Sequence, residues 1–392
     1  MVYDFDRVID RTGTDCEKYD NCPRVFGSGD LLPLWIADMD FATPDFVLDA
    51  IRRRLEHPVL GYTFRGPGFF EAATTWLARR GGWTVQPAWI DCSPGVVPGL
   101  AYALQTVTTE GDGVVIQPPV YPPFARIIKL NDRRVVDNPL VWNGETYAID
   151  FDDLDHKLAT AKAFLMCNPH NPTGRVYSGE ELRRIGDLCV KHDVYVISDE
   201  IHSDLVQKPC RHIHIASLGG EIAARTITLV APSKTFNIAG LSTALAITPD
   251  DALRRRFRHT CSKLHLDQGN IFGTVALEAA YRQGDGWLDQ MNAYTGRNMD
   301  YVVDFLHRNI PSIGCYRPES TYLLWLDFRA WRMSQEELRR FMIDKAYLGL
   351  NDGEHFGVEG IGFMRLNVAS PRSVVMEAMA RLLHACKTCG LA

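Results

Sequence analysis

The apolar run "TITLV" (226–230) leads straight into "APSKTF", which sets Lys234 just past the end of a strand that reads as buried. A free lysine, protonated up to about pH 10.4, belongs in water. Here it is either a surface charge on a loop or an amine kept for chemistry, since desolvation and cationic neighbours lower an amine's pKa. Three further runs end in the same manner. "GVVIQ" (113–117) is followed by "PPVYPPF" with Tyr121, and "AFLMC" (163–167) by "NPHNPTG" with Asn168 and Asn171. "VYVIS" (194–198) is followed by Asp199, with His202 three residues on. Ligands of open α/β sheets bind outside the carboxyl ends of the strands. One crevice can therefore hold an aromatic ring, a carboxamide, a carboxylate, an imidazole and an amine. Singly, each has a plain explanation: Tyr121 as turn packing, "NPTG" as a turn, Asp199 as a helix cap. Groups of this kind on four strand ends carry more weight together.

Elements that can position them are legible. Short apolar runs alternate with helical patterns through the middle of the chain, which predicts an α/β domain with a largely parallel sheet. "SGEELRRIGDLCVKHD" (178–193) opens on a capping box, Ser178 with Glu181, and shows one apolar face of Leu182, Ile185, Leu188 and Cys189. A second helix is expected from near Gly95 in "PGVVPGLAYALQTV". The last hundred residues differ: "STYLLWLDF" and "IGFMRLNVA" read as strands around "SQEELRRFMIDKAY", a helix capped by Ser334 and Glu337. The expected division is an N-terminal arm (1–45) packing with the small domain, a large domain (46–285) and a small α+β domain (286–392).

Composition excludes several classes. The chain has 392 residues, 46% hydrophobic and 23% charged, enough for at least two substantial cores. Forty-two basic against 48 acidic residues give a net charge of −6, with no basic tract to neutralise phosphates, so nucleic acid is not an expected partner. The N-terminus lacks an apolar signal segment, and no run approaches the roughly 18 apolar residues of a membrane span. A cytoplasmic protein with no membrane partner is expected. Ten scattered cysteines, several inside apolar patterns as Cys167 is, suggest reduced buried thiols. "HACKTC" offers His384, Cys386 and Cys389, but a structural zinc site wants four ligands. The end of a helix is the simpler reading, and no metal is expected.

With these motifs in place, the sequence resembles the fold-type I pyridoxal-phosphate enzymes of the aminotransferase superfamily. It is most similar to the cystathionine β-lyase/C–S lyase branch that contains MalY and PatB. The resemblance spans essentially the whole chain, through "LPLWIADMDF" (32–41), "GYTFRGPGFFEAATTWL" (61–77), "PPVYPPF", "NPHNPTG", "SDEIHSDL" (198–205), "SKTFNIAGL" (233–241) and "RLNVASPR" (365–372). "SDEIH" joined with "SKTFNIAGL" is specific for the fold, and "WIADMDF" points to the lyase branch.

The resemblance implies a cofactor, pyridoxal 5′-phosphate, with its aldehyde on Lys234. It implies that Asp199 faces the pyridine nitrogen and that Asn171 donates to the phenolic oxygen, with His202 nearby. Tyr121 stacks on the ring. Gly95, Val96 and Val97, at a helix start, and Ser233 serve the phosphate. Tyr62 reaches the neighbouring subunit's cofactor, which implies a homodimer with shared sites. Arg365 forks onto the substrate carboxylate, and Asn168, Ala37 and Asp38 complete the substrate side. Two positions depart from the aminotransferases. The arginine they commonly carry eight residues after the lysine is Ser242 here, and the Ser or Thr three before it is Ala231. The implied activity is α,β-elimination of cystathionine or another L-cysteine S-conjugate, a small-molecule thioether. An aminotransferase, or another β-eliminating or decarboxylating enzyme on the same scaffold, is the alternative. A regulatory protein that keeps the fold only to bind a partner would be expected to lose the lysine or the aspartate, and both are present.

Overall fold

The computed structural model, which describes residues 2–265 and 268–391, pairs the apolar runs of the chain's middle into a seven-stranded sheet. Its strands are β1 (Ile90–Ser93), β2 (Gly113–Ile116), β3 (Arg134–Asp137), β4 (Ala163–Cys167), β5 (Tyr195–Asp199), β6 (Thr226–Val230) and β7 (Ala244–Ile247). They lie in the order β1-β7-β6-β5-β4-β2-β3. Strands β2 to β6 are parallel, and β7 is antiparallel to both its neighbours.

Strands β2, β4, β6 and β7 are buried at every position. A strand covered on both faces reads as an unbroken apolar run, which is why β2, β4 and β6 are legible without alternation, while β7 goes unmarked. The side-chain period of two still sorts them. Leu165, Cys167 and Ile197 share a core with Leu100 and Leu104 of helix α1 (Val96–Val107). Their neighbours Phe164, Met166 and Val196 pack with Leu182, Ile185 and Cys189 of α2 (Gly179–Lys191). Gly99 lets α1 approach the sheet: a Cβ there would stand 2.6 Å from Leu229 Cδ1. The Ser178–Glu181 capping box forms as expected, while Leu188 is only half-buried at the edge of the α2 face.

A second sheet follows, of β8 (Gly314–Cys315), β9 (Leu323–Asp327), β10 (Asn351–Asp352) and β11 (Phe363–Asn367), ordered β8-β9-β11-β10 and antiparallel throughout. Helices α3 (Asp285–Asn309), α4 (Gln335–Asp344) and α5 (Arg372–Thr388) surround it, and α4 carries the Ser334–Glu337 capping box. His384 and the buried Cys386 lie in the last turns of α5, and Cys389 is its C-cap. Seven of the ten cysteines are buried, and no disulfide joins two of them among the described residues.

One core crosses from sheet to sheet. Trp287, Leu288 and Met291 of α3 pack in the same cluster as Trp76 and Phe236 on one side and Leu323 and Met364 on the other. The N-terminal arm joins it through Phe5 and Leu34, and Leu32–Pro33 pairs in parallel with Leu348–Gly349. Beyond that pairing, the strap of residues 34–41 is held by its own carbonyls: Asn367 Nδ2 donates to Ile36 O (2.7 Å) and Asp38 O (2.6 Å). Asp40 anchors its end, accepting from the buried Lys18 Nζ (2.8 Å) and from Ser370 Oγ (2.6 Å). Among the described residues no helix is long and apolar enough to cross a membrane.

Candidate active site

The strand-end residues meet at a cavity of about 210 Å³ at the carboxyl edge of the large sheet. Register explains the convergence, because Cys167 and Asp199, the last residues of β4 and β5, are paired partners. Tyr121, Asn171, Asp199 and His202 line the cavity, as do Ser233 and Lys234, and so do Ala37 from the strap and Gly95, Val96 and Val97 at the start of α1.

Each group is tuned by burial. Lys234 sits on a short helix (Pro232–Thr235) directly after β6, and its Nζ donates to Ala37 O (2.6 Å). Desolvation lowers its pKa to about 8, with nearby Arg365 working in the same direction against Asp38 and Asp199. Asp199 rises to about 7, chiefly by desolvation, although Ile201 N–H donates to it (3.1 Å). The His202 ring is pushed down to about 3 by burial and by the positive charges of Lys234 and Arg365, so it is neutral; its Nδ1 is buried with no partner among the described residues.

Arg365 lies in the interior strand of the small sheet, opposite Trp325 and Asn351. It is 3% exposed, and its fork is fixed by Nη1 on Asn171 Oδ1 (2.9 Å) and Nη2 on Trp35 O (2.9 Å). Burial lowers its pKa to about 10, which leaves it cationic at neutral pH. No carboxylate among the described residues pairs with it, and its buried Nε has no acceptor. With its oxygen on Arg365, Asn171 has its amide nitrogen left to offer a ligand. The start of α1 supplies anion-binding donors. Gly95 is the N-cap with no side-chain cap, the first backbone bond runs from Gly99 N–H to Gly95 O, and Pro98 has no N–H. The Val96 and Val97 N–H groups therefore have no acceptor within the helix.

A family model, aminotransferase class I and II, matches residues 30–382. The chain belongs to that family. Within the class I and II aminotransferases it is 42% identical to the cystathionine β-lyase PatB of Bacillus subtilis, over 96% of this chain and 98% of PatB. Its fold superposes on cystalysin from Treponema denticola, which contains pyridoxal 5′-phosphate, with a TM-score of 0.96 at 36% identity, covering 99% of this chain and all of that one. A pyridoxal-phosphate-bound C–S lyase from Staphylococcus hominis superposes with a TM-score of 0.91 at 34% identity, covering 98% of each chain. The fold is thus the fold-type I architecture expected from the motifs.

Four expected site residues stand apart from the cavity wall of their own chain. Arg365 reaches it through Asn171. Asp38 turns to the arm, where Arg11 Nη2 donates to it (2.6 Å). Asn168 braces the loop, donating its N–H to Asp199 O (3.0 Å) and accepting from Tyr177 N–H (3.0 Å). Tyr62 is fully exposed, at 101%. The sequence reading missed Tyr322, a buried residue whose hydroxyl donates to the same Ala37 carbonyl as Lys234 (3.0 Å). It also missed Glu200, His212 and His214, a buried cluster against Asp199 whose one signal was the alternation "HIH".

Proposed function

We propose that the chain is a pyridoxal-phosphate-dependent C–S β-lyase that converts cystathionine or another L-cysteine S-conjugate, with water, to pyruvate, ammonia and a thiol. One observation carries the reading: an amine and a carboxylate line one cavity, and a guanidinium with no carboxylate partner among the described residues reaches it through Asn171, all three desolvated. The donor set fits the cofactor. Val96 and Val97 N–H, with the Ser233 hydroxyl, suit its phosphate. Asn171 and the unpartnered His202 suit its oxygen side, Tyr121 suits its ring face, and Asp199 suits its ring nitrogen.

When bound, the cofactor supplies an electron sink for charge developing at the substrate's Cα. The chain's own residues do the rest. Lys234 is the amine for the cofactor aldehyde and the base that takes the Cα proton onto Nζ. Asp199 would be the carboxylate that keeps a proton on the ring nitrogen. Arg365 binds the substrate carboxylate, with the strap at Ala37 closing the substrate side. Loss of thiolate from Cβ completes the elimination. Ser242, also on the cavity wall, stands where aminotransferases commonly carry a phosphate-binding arginine, which favours a lyase. The names of PatB and of the staphylococcal enzyme support the same choice.

The active unit in this reading is a homodimer. Val59, Leu60, Tyr62 and Phe64 form an exposed apolar stretch with no role in their own chain's cavity, which supports Tyr62 serving a second copy. The division into arm (1–45), large domain (46–285) and small domain (286–392) is part of the same proposal and is supported by the chain's having a seven-stranded and a separate four-stranded sheet. A cytoplasmic location is supported by a cysteine-containing chain with no disulfide among the described residues. The test is a panel of L-cystathionine, S-alkylcysteines and serine, read by pyruvate and free thiol. Thioethers should release both in equal amounts and outrun serine by orders of magnitude, because a thiolate leaves more readily than hydroxide. Pyridoxamine phosphate without pyruvate would overturn the lyase in favour of an aminotransferase.

A further inference from the structure

Glu200 is wholly buried, yet its carboxyl is held down at about 2, because His214 and His212 more than offset desolvation. Four donors surround it. His212 Nε2 (2.8 Å) and His214 Nδ1 meet Oε2, while Ser198 Oγ (2.8 Å) and Ile215 N–H (3.3 Å) meet Oε1. Each ring bond takes one N–H from its imidazole. The His212 pKa is lowered by burial, and its Nδ1 has no partner among the described residues.

The cluster lies directly behind Asp199. Glu200 N–H still bonds to Leu229 O on β6, so the strand geometry continues one residue past Asp199. Alternation then sends Asp199 to the cavity and Glu200 to the opposite face, alongside Ser198. The other titratable groups facing Asp199 are Lys234, Cys167 and Tyr121. Beyond His214 lies the half-buried Asp204, bonded to Thr235 Oγ1 (2.9 Å) and near Arg80.

We infer that Glu200 is a positioning residue: a second fixed anion behind Asp199 that helps keep a proton on the ring nitrogen Asp199 faces. The inference rests on the pyridoxal-phosphate reading. Two buried negative charges in a row hold a nearby proton more tightly than one, since little solvent intervenes to screen them. Glu200, His212 and His214 also have the composition of a metal site. However, both ring nitrogens spend their N–H on one carboxylate oxygen, and the group has three members among the described residues.

The experiment titrates holoenzyme loaded with cofactor labelled with ¹⁵N in the ring, following the nitrogen's chemical shift against pH. In Glu200→Gln the ring nitrogen should lose its proton at least about one pH unit lower than in wild type. Turnover above neutral pH should fall about tenfold and recover as pH falls. His212→Gln keeps the Glu200 charge and one donor, so it should titrate like wild type. Identical titrations for wild type and Glu200→Gln would overturn the inference, as would a His212→Gln shift of the same size or one tightly bound zinc per chain. If Glu200→Gln does not fold, Glu200→Asp, which keeps the anion, must titrate within about half a unit of wild type, and a larger shift overturns the inference. Failure of the pyridoxal-phosphate reading is distinguishable, because wild type itself would then take up no cofactor.

Discussion

Burial moves two of the titratable groups at the cavity toward each other, Lys234 down to about 8 and Asp199 up to about 7. An amine with a lowered pKa is neutral and nucleophilic at a lower pH than a surface lysine. The rate of pyridoxal phosphate uptake by cofactor-free protein should therefore rise with pH through about 8 and level off above it, as followed by absorbance. Lys234→Ala should abolish borohydride-trapped cofactor and nearly all turnover, and peptide mapping to any other lysine would sink the assignment. Asp199→Ala should retain some cofactor yet lose at least about 100-fold in kcat, equal to about 2.7 kcal/mol of barrier. Near-normal turnover of cofactor-replete Asp199→Ala would leave the residue as a structural cap. Arg365→Lys should lower kcat/KM while leaving the cofactor spectrum unchanged, because a point charge cannot reproduce the guanidinium fork.

Among the elements, the strap of residues 34–41 is the most exposed to a single change. Its geometry is set by carbonyls that hold Asn367, Arg365, Tyr322 and Lys234, and the strap is itself pinned through Asp40. Lys18 and Asp40 form a buried pair that Arg11 Nη1 joins (2.8 Å), so removing Lys18 takes away one of the two cations that compensate the buried Asp40. Lys18→Met should cost on the order of 3 kcal/mol in urea unfolding. It should also raise KM for the thioether, because Ala37 and Arg365 both lean on the strap. The pH sign follows from Asp40. Burial alone would raise its pKa, but Lys18, Ser370 and Arg11 outweigh that and leave it lowered. Its contribution is thus fully present above the unfolded value of about 4 and is lost as pH falls through the lower folded one. Wild type should lose stability in acid more steeply than Lys18→Met, a difference that urea midpoints measured from pH 6 downward would show.

At the scale of the whole molecule, the shared site is the feature to test. If Tyr62 of one copy serves Lys234 of the other, a mixed dimer of Tyr62→Phe and Lys234→Ala collects both lesions in one site and restores the other. Mixing the two variants under conditions of subunit exchange should regain activity above either parent. No gain, with exchange confirmed independently, would mean that each site is built from one chain.

Two kinds of information separate at the end. The sequence by itself determined four of the seven strands of the large sheet and the order of the chemistry at their ends. Buried parallel strands show as unbroken apolar runs, capping boxes mark helix starts three residues apart, and loops after strand ends in such a sheet open on one edge. These are short-range rules, so Tyr121, Asn171, Asp199 and Lys234 were legible as one set, and the whole-chain motifs named the family. Only the tertiary structure decided where side chains turn and how far burial shifts them. Asp38 faces Arg11 and not the cavity, and Asn168 braces its loop against Tyr177. Tyr322 meets Ala37 across 285 residues, and Arg365 meets Asn171 across 194. Glu200 becomes a fixed anion only because the chain returns fourteen residues later to place His214 against it. Side-chain direction and desolvation are set by elements that pack from far along the chain, and no local spacing encodes them.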